Sequence, residues 1–527
     1  MTKQSFLRGT LILVGAGFVT KVLGFVYRIV LSRIIGDEGM GLFQMAYPIL
    51  LFAITLTTAG LPVAISKLVS EAEATGDERR IRNLLIVSTV IVTITGLLFT
   101  ALTILLAPVI ANTLLTDERA VYPLLGIAPI IPIVAVASIF RGYFQGRQRM
   151  SPYAFSQIIE QIIRIFTVLI LAQFLLPYGV EFASAGAMVG IICGEFAGLM
   201  MLIRSYRKDP KRPVLKLRGR MARERAALFR RFESTLHPLL RISVPVTASR
   251  LFGSLAYAVE PIVVSQSLAL AGIGTATATA LYGQLEGMAF PLIAFPSFIT
   301  YALSVSLVPA VSEAAARRMN LLVEHRLNQA IRLSLIVGAP CAALMYVLAE
   351  PLSLLLYNEA GVARMMKILA PFAIFLYLQG PLASVLQGLD RAKESMRNSI
   401  FGTVIKTGLI FALASHPRLG IDGVALAINC GVIIVTVLHF LTILRHVPFT
   451  IHLREWVKLG VAVFWMGAVV HWIYTFYDAP ILPRVLTALT VGGGVYLASL
   501  LFLSLIRKED AVRLPVIGEW LARLLPR

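Results

Sequence analysis

Charged residues are scarce in this chain of 527 residues. Asp, Glu, Lys and Arg make up 14% of it, whereas 57% is hydrophobic and the mean hydropathy is +0.81. A soluble globular chain carries about 25% charged residues. The scarcity excludes an ordinary soluble domain and indicates that most of the chain lies in a bilayer, where a spanning helix needs about 20 apolar residues.

Patterns typical of soluble catalysis are missing as well. No GxxxxGK[ST] phosphate loop is present, so we do not expect ATP hydrolysis, and no HExxH, CxxC or GxSxG pattern stands in a suitable context. Cys193, Cys341 and Cys430 lie inside apolar runs and show neither metal-ligand nor disulfide spacing. We therefore predict that the chain is not an enzyme and has no cofactor or metal site. A membrane-embedded transferase that uses scattered acids is the alternative.

Apolar runs follow one another along nearly the whole chain. They predict an all-α polytopic membrane protein with 14 transmembrane helices, near residues 10–35, 41–66, 82–107, 121–141, 153–176, 184–203, 238–268, 280–310, 328–349, 364–388, 397–415, 421–443, 455–477 and 482–506.

Basic residues concentrate in alternate connections between these spans, and the formal net charge is +20. Because Lys and Arg favour cytoplasmic loops, the alternation predicts a multi-pass protein of the cell membrane. Both termini are then cytoplasmic, and Arg141 lies in a cytoplasmic connection. We attribute the charge, which is densest in 204–237, to topology and anionic lipid rather than to nucleic acid. The segments 219–233 and 514–525 are expected on the membrane surface.

The two halves of the chain resemble each other. The sequence Val-Ser-Glu-Ala at 69–72 recurs at 311–314, and Gln-Gly at 145–146 recurs at 387–388. An even number of spans per repeat gives both halves the same orientation, with a pseudo-two-fold axis along the membrane normal. This favours transport by alternating access, although a purely structural duplication is the alternative. The predicted parts are an N-terminal six-helix bundle (1–203), a basic linker (204–237), a C-terminal six-helix bundle (238–443), and two further helices with an interfacial tail (444–527).

The first predicted helix carries two internal cations. A charge at a helix centre costs about 2.5–3.5 kcal/mol on insertion scales and usually faces a cavity or a partner. Lys21 and Arg28 are seven residues apart, so they project within about 20° of each other, on the face that also holds Gly17 and Gly24. We predict that this stripe binds an anionic group such as a phosphate or pyrophosphate. Snorkelling of the side chains to the interface is the alternative.

The span 238–268 adds Arg250 and Glu260. Ten residues on one helix separate them by about 15 Å, so they cannot pair with each other. Arg250 is predicted to join the cationic binding site. Glu260 is predicted to balance charge or to carry a coupling ion, and structural pairing with Lys21 or Arg28 is equally open.

The remaining internal charges rank below the first helix. Glu160 and Arg164 stand at i, i+4, where a structural pair on one helix is favoured. Glu195, Glu286 and Lys406 are single charges with possible gating, coupling or water-facing roles; Glu286 and Lys406, with the two glycines of the first helix, form a second tier of predicted cavity residues. Small residues at four-residue spacing predict a close-packing face on the sixth helix: Gly186, Gly190, Gly194 and Gly198.

Several runs resemble the stage V sporulation protein B group, in the polysaccharide-transporter branch of the multidrug/oligosaccharidyl-lipid/polysaccharide flippase superfamily. They are Phe-Leu-Arg-Gly-Thr at 6–10, Lys-Val-Leu-Gly-Phe-Val-Tyr-Arg at 21–28, Gly-Leu-Pro-Val-Ala-Ile-Ser-Lys at 60–67, Arg-Gly-Tyr-Phe-Gln-Gly at 141–146 and Glu-Pro-Ile-Val-Val at 260–264.

The resemblance implies two six-helix bundles around a central cavity, with the last two helices contributing a groove for a lipid tail. It implies outward movement of an undecaprenyl-pyrophosphate-linked peptidoglycan precursor of the lipid II type for the spore cortex. Cortex-synthesis enzymes are then possible partners. It supports Lys21 and Arg28 as cavity residues, whereas the second helix lacks the internal basic residue of lipid II flippases. No coupling ion is identified. A cation-coupled multidrug exporter and a non-transporting scaffold for cortex-synthesis enzymes are the alternatives.

Overall fold

The computed structural model describes residues 3–58, 60–210, 212–213, 224–450 and 453–505. Within these residues the regular structure is helical, which confirms the predicted all-α class. The α-helices are α1 (Lys3–Thr58), α2 (Leu61–Ala74), α3 (Glu78–Val109), α4 (Val121–Ile127), α5 (Ile130–Gly146), α6 (Met150–Leu175), α7 (Val180–Arg207), α8 (Glu224–Leu270), α9 (Thr275–Tyr282), α10 (Phe290–Ala294), α11 (Ser297–Ala316), α12 (Asn320–Val347), α13 (Ala349–Tyr357), α14 (Gly361–Leu369), α15 (Ala373–Gly388), α16 (Ala392–Ala414), α17 (Ile421–Leu444), α18 (Leu453–Phe476) and α19 (Ile481–Phe502).

Helix α1 is 56 residues long and changes direction at Gly36, where φ is 70° and ψ is −173°. Only glycine adopts such a conformation readily, because it has no Cβ. At about 1.5 Å per residue, α1 is far longer than the roughly 30 Å of hydrocarbon in a bilayer. Gly36 lies between the predicted spans 10–35 and 41–66, so the kink falls at the predicted connection.

Twelve helices among the described residues are long and apolar enough to cross a membrane. This supports the predicted multi-pass membrane protein. Two places account for the difference from the predicted count. The segment Gly15–Ala74 joins the first two predicted spans, and α16, at the predicted span 397–415, is less apolar because it carries four charged residues. The count of 14 stays a prediction.

One compact unit comprises Met1–Gly287 and Ala414–Ile421. Its apolar core forms where α2, α3, α5 and α7 meet, around Ile65, Leu85, Phe144 and Leu202, each at most 1% exposed. Each of these helices contributes buried side chains to the core. The core therefore holds the helices that flank α1 in fixed positions.

The predicted close-packing face on α7 is confirmed. A Cβ on Gly190 would lie 2.5 Å from the Val168 backbone of α6, and one on Gly194 would lie 2.6 Å from Cβ of Arg164. The missing side chains let the two backbones touch. This contact also sets the distance between charged residues that α6 and α7 carry.

The ends of α2, α5 and α7 meet at Asp209. Its carboxylate accepts hydrogen bonds from the Tyr143 hydroxyl (2.9 Å) and from Arg147 Nη1 (3.1 Å), and it pairs with Arg149 (2.9 Å). Arg147 also pairs with Glu73 at 3.0 Å. Asp209 thereby fixes the beginning of the basic segment 204–237. Residues 211 and 214–223 of that segment, and the predicted interfacial tail 514–525, lie outside the described residues, and the predicted division of the chain at 204–237 stays a prediction.

A second compact unit comprises Met288–Leu413 and Asp422–Arg527, described up to residue 505. One apolar cluster joins α11, α12, α15 and α17, with Val311 and Leu386 fully buried. Another joins α12 to α18 and α19 through Met466, Val470 and Ala488. The last two helices therefore pack on α12 within this unit.

Replacing Gly190 by Ala should lower the thermal stability of the protein, because the added methyl group would collide with the α6 backbone. Overpacking of this kind costs about 1–3 kcal/mol. Gly493 on α19 has nothing within 4 Å of a Cβ among the described residues, so Gly493→Ala should be neutral or slightly stabilising. Thermal unfolding of the detergent-solubilised variants measures both effects. An equal response at the two positions would contradict the close approach of α6 and α7.

Candidate ligand-binding site

The predicted cationic stripe lies on the first half of α1, within the first compact unit. Lys21 is exposed and Arg28 is half-buried. A Cβ on Gly17 would meet nothing within 4 Å among the described residues, and one on Gly24 would lie 3.5 Å from Nε2 of Gln161 on α6. The stripe therefore combines two cations with open backbone at Gly17, and α6 lies beside it.

Tyrosines connect Arg28 to predicted residues on other helices. The charge of Arg28 acts on the hydroxyls of Tyr47, on α1, and of Tyr257, on α8. The charges of Glu260 and Glu286 act on the same Tyr257 hydroxyl. Both carboxylates are nearly buried, at 7% and 9% exposure. The structure thus brings Arg28, Glu260 and Glu286 into one polar region around Tyr257.

Two predicted residues lie apart from that region. Arg250 is exposed on α8, ten residues and about 15 Å along the helix from Glu260. Lys406 belongs to the second compact unit, on α16, where a Cβ on Gly431 of α17 would lie 2.8 Å from its Cβ. The close approach of α16 and α17 at this point places the base of the Lys406 side chain against a helix backbone.

A network of four buried charges lies where α5, α6 and α7 meet. The predicted pair of Glu160 and Arg164 is confirmed. Arg141 Nη2 contacts Glu160 Oε2 at 3.0 Å and Glu195 Oε1 at 2.7 Å, and Arg164 lies 3.6 Å from Glu195. Two positive and two negative groups thus share one buried site. We call these four residues the buried charge network.

The structure places Arg141 inside a helix and not in a connection between helices, so that part of the prediction is wrong, while the cytoplasmic side predicted for it stays a prediction. The helix α5 continues to Gly146, so Arg141 stands inside it, with 20% of its side chain exposed. The two carboxylates that it neutralises come 19 and 54 residues later. The sequence signal was present in Glu160 and Glu195, since two acids in apolar spans require cations and Arg164 alone supplies one.

A second polar cluster, the Asp117 clasp, consists of Glu38, Asp117, Arg119 and Thr279. Asp117 accepts hydrogen bonds from Arg119 Nη2 (2.9 Å) and from the Thr279 hydroxyl (2.7 Å), while Arg119 Nη1 donates to Glu38 (2.7 Å). Burial by itself raises the pKa of the Asp117 carboxyl, but the hydrogen bonds from Arg119 and Thr279 outweigh it and lower the pKa below its usual value. The clasp joins α1 to α9. It lies at the ends of these helices that, from the distribution of basic residues, are predicted to be on the outer side of the membrane.

Glycines bring the same two helices into backbone contact beside the clasp. A Cβ on Gly41 would lie 2.0 Å from the Thr279 carbonyl oxygen, and one on Gly283 would lie 1.9 Å from the Asp37 carbonyl oxygen. Gln284 Nε2 also donates to Asp37 at 2.8 Å. A polar cavity of about 660 Å³ lies at this end of the unit, lined in part by Asn112, Thr116, Asp117, Arg119, Glu181 and Thr275. These contacts between α1 and α9 were not predicted from the sequence, because the residues that form them are far apart in the chain.

The second unit contains an apolar groove of about 580 Å³ between α12, the turn before α15, and α18. Its lining is almost entirely hydrocarbon and includes Leu335, Ala339, Tyr346, Ile374, Trp456, Gly460 and Val463. Among the residues that the structure describes, no three His, Cys, Asp or Glu side chains gather as a metal site would require.

Comparison with known proteins identifies relatives along the full chain. The family model for "Polysaccharide biosynthesis protein" matches residues 6–315, and the model for "MatE" matches residues 264–411. The chain is 43% identical to "Stage V sporulation protein B" of Bacillus subtilis (strain 168), covering 99% of this chain and 100% of the relative. It is 26% identical to "Lipid II flippase MurJ" of the same organism, covering 97% and 98%. The solved structure "Lipid II flippase MurJ, inward closed conformation" superposes with a TM-score of 0.70 at 15% identity, covering 94% of this chain and 100% of that one.

The lowered pKa of Asp117 predicts a stability that depends on pH. A depressed carboxyl pKa adds stability above the unfolded value of about 3.9, and this stability is lost as the pH falls through the folded value. Asp117→Asn should lower thermal stability at pH 7 and flatten its dependence on pH below about 4. Hydrogen bonds to a charged group contribute about 1.5–3 kcal/mol each.

Asp478 provides the matched control, because its carboxylate is fully exposed and lies 3.7 Å from Arg484. Asp478→Asn should leave both the stability and its acid dependence unchanged. If Asp117→Asn behaved like Asp478→Asn, the clasp would have no role in holding α1 against α9.

Proposed function

The chain belongs to the polysaccharide biosynthesis protein family of the multidrug/oligosaccharidyl-lipid/polysaccharide flippase superfamily, and we propose that it is a flippase for a polyprenyl-pyrophosphate-linked glycan. The homologues of this chain are transporters rather than enzymes. The specific substrate is a peptidoglycan precursor of the lipid II type, and its product serves spore cortex synthesis. The names of the two Bacillus subtilis relatives support this assignment.

The cationic stripe on α1 carries the proposal. Lys21 and Arg28 stand on one face of a membrane-spanning helix. At Gly17 on the same face, no described atom lies within 4 Å of a Cβ position, so a ligand can approach the helix backbone there. A pyrophosphate needs both charge neutralisation and hydrogen-bond donors to leave water, and a lysine and an arginine supply them. Arg250, about 15 Å along α8 from Glu260, is proposed to add a further cation to the path of the headgroup. A cationic drug would be repelled by the same groups, so the basic stripe disfavours a multidrug exporter.

The acids of this region balance the cations when the ligand is absent. Glu260 lies with Arg28 around Tyr257, and Glu286 lies in the π-helical segment Gly283–Ala289 that follows α9. Both are nearly buried, so an unbalanced charge on either would be costly. In our proposal Glu260 offsets the charge of Arg28 between transport cycles.

The apolar groove of the second unit accepts the polyprenyl tail. It is formed by membrane-spanning helices and is lined by hydrocarbon, so a lipid chain replaces other lipid there without loss of hydrogen bonds. Tyr346 and Trp456 are amphipathic aromatic residues of the kind found near the membrane interface. The pyrophosphate and glycan then cross through the polar region while the tail stays in a lipid-like environment.

The architecture proposed for this cycle has 14 spans, with both termini cytoplasmic. Two six-helix bundles, 1–203 and 238–443, alternate access in a parallel repeat, joined by the basic linker 204–237 and followed by two helices and a tail at 444–527. The linker contacts anionic lipid of the cytoplasmic leaflet. The Asp117 clasp is the closure that opens when the headgroup leaves on the outer side.

Lys21→Ala and Arg28→Ala should each abolish exposure of the lipid-linked precursor on the outer leaflet while leaving protein abundance unchanged, because each removes a donor and a charge from the headgroup site. Precursor exposure is measured with an impermeant enzyme or probe that acts on the outer leaflet. Arg317→Ala is the matched control, since Arg317 is an exposed arginine paired with Glu313 at 2.8 Å. Normal exposure in both α1 variants would contradict the assignment of the site.

Filling the apolar groove should weaken binding of long lipids and spare short ones. A Cβ on Gly460 meets nothing within 4 Å among the described residues, and Gly460 lines the groove, so Gly460→Leu adds a side chain there with no clash at its Cβ. Affinity for a long-chain polyprenyl pyrophosphate should fall about tenfold, the effect of losing burial of a few methylene groups. Affinity for a short-chain analogue should not change. Gly493→Leu is the control, because Gly493 is equally open but lies outside the groove. Equal effects of the two variants would remove the groove from the mechanism.

A further inference from the structure

The buried charge network has no task in the function proposed so far. Its four groups carry two positive and two negative charges, so the network is neutral as it stands. Arg141 contacts both carboxylates, at 3.0 Å for Glu160 and 2.7 Å for Glu195. Arg164 contacts Glu160 closely but lies 3.6 Å from Glu195. If Arg164 moved away, each carboxylate would still have Arg141 as a partner.

Two buried donors on α6, one in the network and one beside it, lack acceptors. Nε of Arg164 and Nε2 of Gln161 are buried and have no hydrogen-bond partner among the described residues. They stand three residues apart on α6, and Nε2 of Gln161 is the atom nearest to the Cβ position of Gly24. A buried donor without an acceptor is destabilising, and a ligand rich in oxygen atoms would relieve it.

These donors lie toward the cationic stripe. The Gly24 contact places α6 against the face of α1 that holds Lys21 and Arg28. The charge of Arg164 also acts on the hydroxyls of Tyr27 and Tyr47, and Tyr47 is one of the tyrosines that Arg28 reaches. Arg164 keeps 21% of its side chain exposed, so it can change partner without unfolding the network.

We propose that Arg164 is a switchable phosphate ligand, and that Glu160 takes up a proton when Arg164 leaves it for the pyrophosphate. This inference rests on the proposed function, and it makes the buried charge network a proton-coupling device. Transfer of Arg164 leaves Arg141 between two carboxylates with a net charge of −1. One proton from water on Glu160 restores neutrality, and no covalent bond other than the new O–H is formed. Release of the headgroup returns Arg164 to Glu160 and expels the proton.

Glu160, rather than Glu195, is the proton acceptor. Glu160 loses its closest partner when Arg164 moves, and it is more exposed than Glu195 (13% against 5%). Glu195 keeps its 2.7 Å contact with Arg141. The charged or titratable groups described around Glu160 are Arg141 on α5, Arg164 and Tyr153 on α6, Glu195 on α7, and Tyr27 and Tyr47 on α1 through Arg164.

Calorimetry in buffers with different ionisation enthalpies tests the proposal. The full-length protein is titrated with farnesyl pyrophosphate near pH 7, and the buffer dependence of the heat gives the protons taken up for each ligand bound. We expect about one proton per pyrophosphate, with an affinity that rises as the pH falls, by up to about tenfold per pH unit. Glu160→Gln should lose the proton uptake and bind more tightly, because the neutral amide competes less for Arg164. Arg164→Ala should bind about tenfold more weakly, as expected for one lost charged hydrogen bond.

Glu313→Gln is the matched control, because Glu313 and Arg317 form an exposed pair at the same i, i+4 spacing. It should retain the proton uptake of the unmodified protein. Binding without proton uptake, or uptake that survives Glu160→Gln, would overturn the coupling and leave the proposed function intact. Failure of the unmodified protein to bind farnesyl pyrophosphate would overturn both. If Glu160→Gln does not fold, the proton count of the unmodified protein decides the question.

Discussion

The cost of a charge in an apolar solvent is the constraint on which this structure depends. A bilayer offers no water to an ionised side chain, so each internal charge needs a partner, a cavity or an escape to the interface. In the buried charge network the charges have partners, because each arginine side chain is paired with at least one glutamate carboxylate. The stripe on α1 is more open, with an exposed Lys21 and a half-buried Arg28. In the proposed function this stripe binds the ligand headgroup, whereas the network joins α5, α6 and α7.

Close approach of helix backbones is the second requirement, and glycine permits it at two helix interfaces. Gly190 and Gly194 bring α6 to α7 and thereby set the spacing of the network. Gly41 and Gly283 bring α1 to α9 beside the Asp117 clasp. In a membrane, where lipid competes with side chains for apolar surface, small residues permit the dense contacts that hold helices together. The backbone of α1 is open at Gly17, whereas these interfaces leave no room for a Cβ among the described residues.

The sequence predicted those parts of the fold and site that depend on local patterns. Hydropathy gave the all-α class and placed most spans, because an apolar run of sufficient length has one stable structure in a bilayer. The pair of Glu160 and Arg164 was predictable because one helical turn separates its members. The partnership of Arg141 with Glu195, or of Asp117 with Thr279, was not, since 54 and 162 residues separate them and helix packing alone brings them together. The polar region around Tyr257 was anticipated only as separate charges.

Reconstitution tests the central claim most directly. The purified protein is inserted into vesicles that carry a labelled polyprenyl-pyrophosphate-linked glycan on one leaflet, and the label that reaches the opposite leaflet is measured over time. The account predicts translocation well above that of protein-free vesicles, with competition by inorganic pyrophosphate at the cationic stripe. A correctly folded, membrane-inserted protein that leaves the labelled lipid on its original leaflet would contradict it.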